Sequence, residues 1–231
     1  MQLVIFVTGD THSKIDRFSH KKWEFGKKLN KKDYVIICGD FGLIWDTNES
    51  SNEESYWLKW LNDKNWTTLF VDGNHENFDR LNKFEEVNLF DGIVGKISDS
   101  IFHLKRGEVY TIENKKFFVM GGAQSIDKAS RVEFISWWKE ELPSHKEICN
   151  AIENLDKNNN EVDYILTHTP PAHIINNITK FNFSEDNYNL TKFFDELSAK
   201  IKFKKWYFGH LHIDLDIGNY ISLYERIERI I

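Results

Sequence analysis

Tyr34-Val35-Ile36-Ile37-Cys38-Gly39-Asp40 is a short apolar, β-branched run that stops on a glycine and then an aspartate. Such a run reads as a buried strand, and the Gly-Asp pair after it as a sharp exit turn. The same arrangement recurs outward in both directions. Leu3–Thr8 leads into Gly9-Asp10-Thr11-His12, and Thr67–Val71 leads into Gly73-Asn74-His75-Glu76. Further on, Tyr164–Thr167 leads into His168-Thr169-Pro170, and Lys205–Phe208 into Gly209-His210-Leu211-His212. Helical patterns lie between the first three runs, around Arg17–Leu29 and over Glu54–Asn62, where Tyr56, Trp57, Trp60 and Leu61 share one face. Strand and helix in alternation predict βαβ units and a largely parallel sheet.

The second half changes character. Ile101–Leu104, Val109–Glu113 and Phe117–Met120 (or on to Gly121) are closely spaced β segments, with Asn114-Lys115 as a tight turn. Ile213–Ile217 and Tyr220–Arg226 read as a hairpin across Gly218-Asn219. Asp186–Lys200 reads as a helix with Leu190, Phe193, Phe194 and Leu197 on one face. A βαβ half joined to a more antiparallel half suits two sheets packed face to face with helices outside. Asn158-Asn159-Asn160 is a loop, and no linker or repeat divides residues 1–231, so a single domain is expected.

The residues that end the runs share one chemistry. Carboxylate, carboxamide and imidazole groups stand where a sheet gathers its ligands, just past the carboxyl ends of strands. Taken singly, each has an ordinary alternative. An aspartate after a strand often caps a turn or helix, and a loop histidine often only forms hydrogen bonds. Together, Asp10, His12, Asp40, Asn74, His168, His210 and His212 read as donors for borderline divalent cations such as Mn, Fe, Zn, Ni or Co, with no thiolate among them. His20, His103, His145 and His173 lack this context and read as surface or structural, with His173 close enough to His168 to support it.

Bulk properties exclude several classes. A formal net charge of −6, with basic doublets scattered at Lys21-Lys22, Lys31-Lys32 and Lys204-Lys205, argues against a duplex nucleic-acid footprint. No apolar stretch reaches the ~18 residues of a membrane span, and the first residues lack the pattern of a secretory leader. Two cysteines, Cys38 and Cys149, are too few for a disulfide framework. A cytoplasmic protein with reduced thiols is expected.

All five strings, in this order from Asp10 to His212, resemble the calcineurin-like metallophosphoesterase superfamily. The resemblance implies an α/β fold, a four-layer αββα sandwich of two mixed sheets with a dinuclear metal site at the strand ends. It implies that Asp10, His12, Asp40 and His212 hold one ion, and that Asp40, Asn74, His168 and His210 hold the other, Asp40 bridging. It implies two divalent ions, manganese first among them, and hydrolysis of phosphate mono- or diesters by a hydroxide bridging the pair. His75 would be the catalytic residue beside the ions, and Glu76 a carboxylate at a helix start. Small phosphate esters or nucleotides are the expected partners, and oligomeric state is left open.

The chain departs from the pattern at Leu43, where many relatives place a second aspartate, and it lacks the arginine that phosphoprotein phosphatases set beside it. Arg80 partly resembles another arginine of those phosphatases, with an exposed surface arginine as the alternative. These departures weaken a Ser/Thr-type phosphoprotein phosphatase, which stays as the rival enzyme reading, with a catalytically weak metal-binding scaffold behind it. Substrate contacts are expected from the segment after Gly121-Gly122, through Ser125, Lys128 and Arg131, and from Phe41 and Trp45 as pocket walls. The competing reading of that segment is a helix entry in which Asp127 and Arg131 pair and Trp137-Trp138 fill core.

Overall fold

The computed structural model describes residues 3–47, 49–179 and 188–231. Thirteen strands form among them, in chain order β1 Ile5–Thr8, β2 Tyr34–Cys38, β3 Thr67–Val71, β4 Glu85–Leu89, β5 Gly92–Ser98, β6 Ile101–Leu104 and β7 Val109–Ile112. There follow β8 Lys115–Met120, β9 Tyr164–Thr167, β10 Lys205–Phe208, β11 Leu215–Ile217, β12 Tyr220–Ser222 and β13 Glu228–Arg229. The helices are α1 Asn52–Asn62, α2 Phe78–Leu81, α3 His145–Lys157, α4 Ala172–Thr179 and α5 Tyr188–Lys200.

The strands make two mixed sheets, ordered β13-β1-β2-β3-β6-β5-β4 and β11-β12-β10-β9-β8-β7. In each, the central strands run parallel and the margins antiparallel. β1, β2, β3 and β6 pair in parallel, as do β8, β9, β10 and β12. The side-chain alternation of a strand explains the layering. Ile5 and Val7, Ile36 and Cys38, Phe117 and Val119 point into the core between the sheets. Their neighbours Phe6, Val35 and Ile37 point to an outer layer with Leu61, Phe78 and Leu81 from α1 and α2. Phe118 and Met120 point to the opposite outer layer, packed by Ala151, Leu155, Leu190, Phe194 and Leu197 from α3 and α5. The result is the four-layer αββα sandwich.

Several local readings need correction. Arg17–Leu29 is not one helix but two 3-10 turns, Ile15–Phe18 and Glu24–Lys28. Gly26 lies flat against aromatic rings, and a Cβ there would come within 3.0 Å of Trp23 and Trp66. Tertiary packing of backbone onto those rings overrides helical spacing. The turn before β8 falls on Glu113 and Asn114, at φ 50° and 57°, one residue earlier than expected. The terminal hairpin crosses Gly218-Asn219 as expected, but with the shorter strands β11 and β12. Asp186 and Asn187, the expected start of α5, lie outside the described residues. The β4–β5 hairpin, α3 and α4 went unread in the sequence. No helix among the described residues is long and apolar enough to cross a membrane.

Candidate metal centre

The carboxyl ends of β1, β2 and β3 meet those of β9 and β10 at one place, and glycines allow the approach. A Cβ on Gly73 would sit 2.1 Å from Asp40 Oδ1. One on Gly39, which also holds a left-handed φ of 94°, would enter the His168 ring at 2.0 Å. Neither turn tolerates a side chain. Four site residues themselves adopt left-handed backbone: His12, Asp40, His210 and His212, at φ of 42°, 46°, 67° and 51°. Strained conformations of this kind persist where the surroundings over-determine them, and they concentrate at functional sites.

Asp10, His12, Asp40 and His212 each offer a donor atom, all within 4.8 Å of one another. The Nε2 atoms of His12 and His212 face each other at 3.0 Å. His12 Nε2 lies 3.4 Å from Asp40 Oδ2, and His212 Nε2 lies 3.2 Å from Asp10 Oδ2. A second group adjoins the first. His168 Nε2 lies 3.3 Å from Asp40 Oδ1 and 3.1 Å from Asn74 Oδ1, and the His210 ring is centred 4.9 Å from the His168 ring. His168 Nδ1 sits 3.1 Å from the Cys38 carbonyl, which needs its proton. In neutral His168 the Nε2 lone pair then faces two oxygens that carry only lone pairs.

This donor set fits divalent cations. Three acceptors converging without a hydrogen between them in neutral His168 repel one another until a positive charge joins them. Burial pushes His210 down to about 4 and lowers His12, keeping both imidazoles neutral, the state a ligand needs. Burial also opposes charge on His168, yet Asp40 and Asp10 together push it up to about 10. Burial likewise disfavours the Asp40 carboxylate, but His168 holds it ionised well below the ordinary range.

His75 stands at the rim. Its backbone N–H donates to Asp40 Oδ1 at 2.8 Å, and its Nε2 accepts from the Arg131 guanidinium at 3.1 Å. Burial lowers the His75 pKa, with Arg131 adding to the effect and Asp40 opposing it. Arg131 is steadied by Asp127 at 2.8 Å and the Ser136 carbonyl at 3.2 Å. The Trp45 ring is 5.8 Å from that of His75.

Other expected contacts went elsewhere. Phe41 is fully buried and stacked on Phe70, so it is core and no pocket wall. Ser125 is buried, its hydroxyl taken by Glu141 and by Asn74. Lys128 is exposed over the Trp137 ring. Arg80 is neither a free surface arginine nor open to a ligand. Its guanidinium is committed to Glu54, Ser50 and the Asp46 carbonyl. Leu43 lies in the outer core layer.

Three residues support the site through partners the sequence did not show. Glu76 stands just before the Asn77 cap of α2, at the expected helix start. It is fully buried, and it accepts the N–H groups of Phe41 at 2.7 Å and Gly42 at 3.3 Å, fixing the loop that carries Asp40. Arg17 donates to the carbonyls of Asp10 and Tyr224, and Tyr224 stacks on His212. Their types were visible, but their partners are remote in sequence.

The family model described as calcineurin-like phosphoesterase matches residues 3–214. The chain belongs to the calcineurin-like phosphoesterase family. It is therefore a metal-dependent phosphoester hydrolase, of a family that uses divalent metal ions. Solved structures of similar fold include a phosphopantetheinyl hydrolase of Mycobacterium tuberculosis, at 14% identity and TM-score 0.51, covering 99% of this chain and 96% of that one. A putative 5'-nucleotidase of Staphylococcus aureus is 12% identical with TM-score 0.52, covering 98% of this phosphoesterase and 50% of that chain. The chain thus spans half the length of the second neighbour. At these identities the likeness speaks for the fold alone. No curated protein matches the sequence.

Proposed function

We propose that this phosphoesterase hydrolyses phosphate mono- or diesters of small molecules, nucleotides included, with two divalent cations at the joined strand ends. The observation that carries the reading is the placement of one carboxylate. Asp40 turns Oδ1 toward His168 and Oδ2 toward His12, at 3.3 and 3.4 Å, so it stands between two donor groups. On this reading Asp10, His12, Asp40 and His212 hold one ion, and Asp40, Asn74, His168 and His210 hold the other. Manganese, kept as the first choice from the family resemblance, suits the oxygens of Asp10, Asp40 and Asn74, while the four imidazoles suit iron, zinc, nickel or cobalt as alternatives. Bound cations supply Lewis acidity, acidifying water and neutralising charge on phosphate oxygens.

The remaining work falls to the chain. Arg131 reaches the rim with donors only, suited to grip a phosphate oxygen in a charge-assisted pair. An entering phosphate takes that donor from His75 Nε2 and frees the imidazole. The freed Nε2 can then take up a proton from solvent beside the bound phosphate and hand it to the departing oxygen. Asn74 is oriented by Ser125, and Asp10 by two contacts from the His210 N–H, both at 2.9 Å. A cytoplasmic setting suits the free thiols Cys38 and Cys149.

The test is turnover of matched phosphomonoesters and phosphodiesters by metal-stripped protein with single metals restored. Metal-dependent hydrolysis that disappears in Asp40→Asn is expected. His75→Ala should bind metal yet lose about a hundredfold or more in kcat, the usual contribution of a general acid. Full activity in Asp40→Asn would rule out the bridging role.

A further inference from the structure

A cavity of about 550 Å³ opens beside the metal centre, with Ser13, Gly42, Trp45, Asp46, Glu53 and Trp57 in its walls. Its inner end adjoins the centre. Ser13 follows His12, its N–H donates to the Phe41 carbonyl, and Trp45 approaches the His75 ring. Its outer end reaches the first turn of α1. The volume falls within the ~300–1,000 Å³ of small-molecule sites.

The walls restrict what can enter. Two half-buried indoles, Trp45 and Trp57, supply flat apolar surface. Around them stand the carboxylates of Asp16, Asp46, Glu53 and Glu54, against Lys14 as the single cation of the lining. Glu54 is engaged by Arg80, Asp16 by Lys22, and Asp46 accepts from the Ser51 N–H. Glu53 has no ion pair among the described residues. With Glu54 and Asp16 paired, Asp46 and Glu53 remain against Lys14, a slight negative excess that offers an anionic tail such as a further phosphate no cationic cluster to bind. The rim also offers too many charged oxygens for an acyl chain. It suits a neutral group with one aromatic plane and several hydrogen-bond donors. A base can stack on an indole, as bases do on aromatic platforms. Ribose hydroxyls can donate to carboxylates, the way an acidic residue holds ribose in dinucleotide sites.

We infer that this cavity is the leaving-group site and that it takes a nucleoside, with its ester oxygen toward His75 and its base against Trp57. The inference rests on the phosphoesterase reading and narrows its substrate class.

Adenosine binding to the full, metal-stripped chain, followed by calorimetry, tests the cavity without turnover. Saturable binding is expected, weakened about tenfold or more in Trp57→Ala and only partly in Trp57→Phe, which keeps a ring. With metal restored, the ratio of kcat/KM for AMP over glycerol 3-phosphate should fall by a similar factor in Trp57→Ala. Hydrolysis of esters without adenosine binding by the unsubstituted protein would overturn the nucleoside site and leave the phosphoesterase standing. A kcat/KM ratio unmoved in a folded Trp57→Ala would overturn it too. Adenosine binding with no turnover of any ester, under any metal, would instead overturn the phosphoesterase reading.

Discussion

Asn74 can turn only one amide atom toward a cation, and Ser125 decides which. The Asn74 amide donates to Ser125 Oγ at 3.1 Å, leaving Oδ1 to face His168. Ser125 is held in turn by Glu141, which accepts from its N–H at 3.0 Å and from its hydroxyl at 2.8 Å. Burial pushes the Glu141 carboxyl up to about 7 from its ordinary 4.5, against the Ser125 hydrogen bonds that favour its charge. The consequence for stability has a definite sign. Below pH 4.5 the group is protonated folded and unfolded alike. Between 4.5 and about 7 the unfolded chain releases this proton while the folded chain keeps it, so stability falls as pH rises. At ~1.4 kcal/mol per unit the loss is on the order of 3 kcal/mol. Glu141→Gln imitates the protonated form and should escape it. Urea unfolding at pH 5 and 7.5 should show the variant gaining on the parent at the higher pH. Parallel shifts would mean that Glu141 is ionised throughout. The seven metal-ligand candidates were legible because residue type and position after a strand carry the signal. The Glu141–Ser125–Asn74 relay was not, since its partners lie far apart in sequence and only the fold joins them.

At the scale of elements, strands buried on both faces announced themselves, and elements made by unusual turns did not. β4 and β5 are joined through Phe90 and Asp91, both left-handed at φ 57° and 66°. That is the backbone of a tight hairpin turn, which normally advertises itself with Asn-Gly. Phenylalanine hides it. α3 carried a readable start signal, Ser144 followed three residues later by Glu147, and it forms a reciprocal capping box. The Ser144 hydroxyl accepts from the Glu147 N–H, while the Glu147 carboxylate accepts from the Ser144 N–H at 2.7 Å. α3 buries Ala151 and Leu155 on the outer face of the second sheet, so its first turn supports a large part of that layer. Ser144→Ala should cost about 1 kcal/mol, the usual value of an N-cap. Chemical denaturation would read it as a lower midpoint at unchanged slope. A change in slope would show that α3 detaches separately from the rest.

The two sheets are pinned together, beside the metal centre, by a buried charge. Asp72 closes β3 of the first sheet and directly precedes the Gly73-Asn74 turn. Arg106, on the crossing from β6 to β7, donates to its Oδ2 through Nε at 2.8 Å and Nη2 at 2.5 Å, and His103 Nε2 lies 2.9 Å from Oδ1. From the second sheet, Gly122 N–H donates to the Asp72 carbonyl at 3.0 Å, and a Cβ on Gly121 would strike the carboxylate at 2.4 Å. Arg106 also reaches the Glu140 carbonyl at 2.8 Å. Burial alone would neutralise Asp72, but Arg106 and then His103 hold it ionised well below the usual carboxylate range. Its contribution to stability is therefore present above the ordinary aspartate pKa and lost as pH falls through the depressed one. Removing one partner from a buried pair strands the other charge, which costs about 3–5 kcal/mol. Arg106→Ala should lose that much in urea unfolding at pH 7, and its deficit should shrink as acid protonates Asp72. Asp72→Asn with Arg106→Met removes both charges together and should recover part of the loss. If Arg106→Ala cost under about 1 kcal/mol, water would have to reach the carboxylate between the sheets. The joint that sets the spacing of the metal-binding turns would then be held by apolar packing alone.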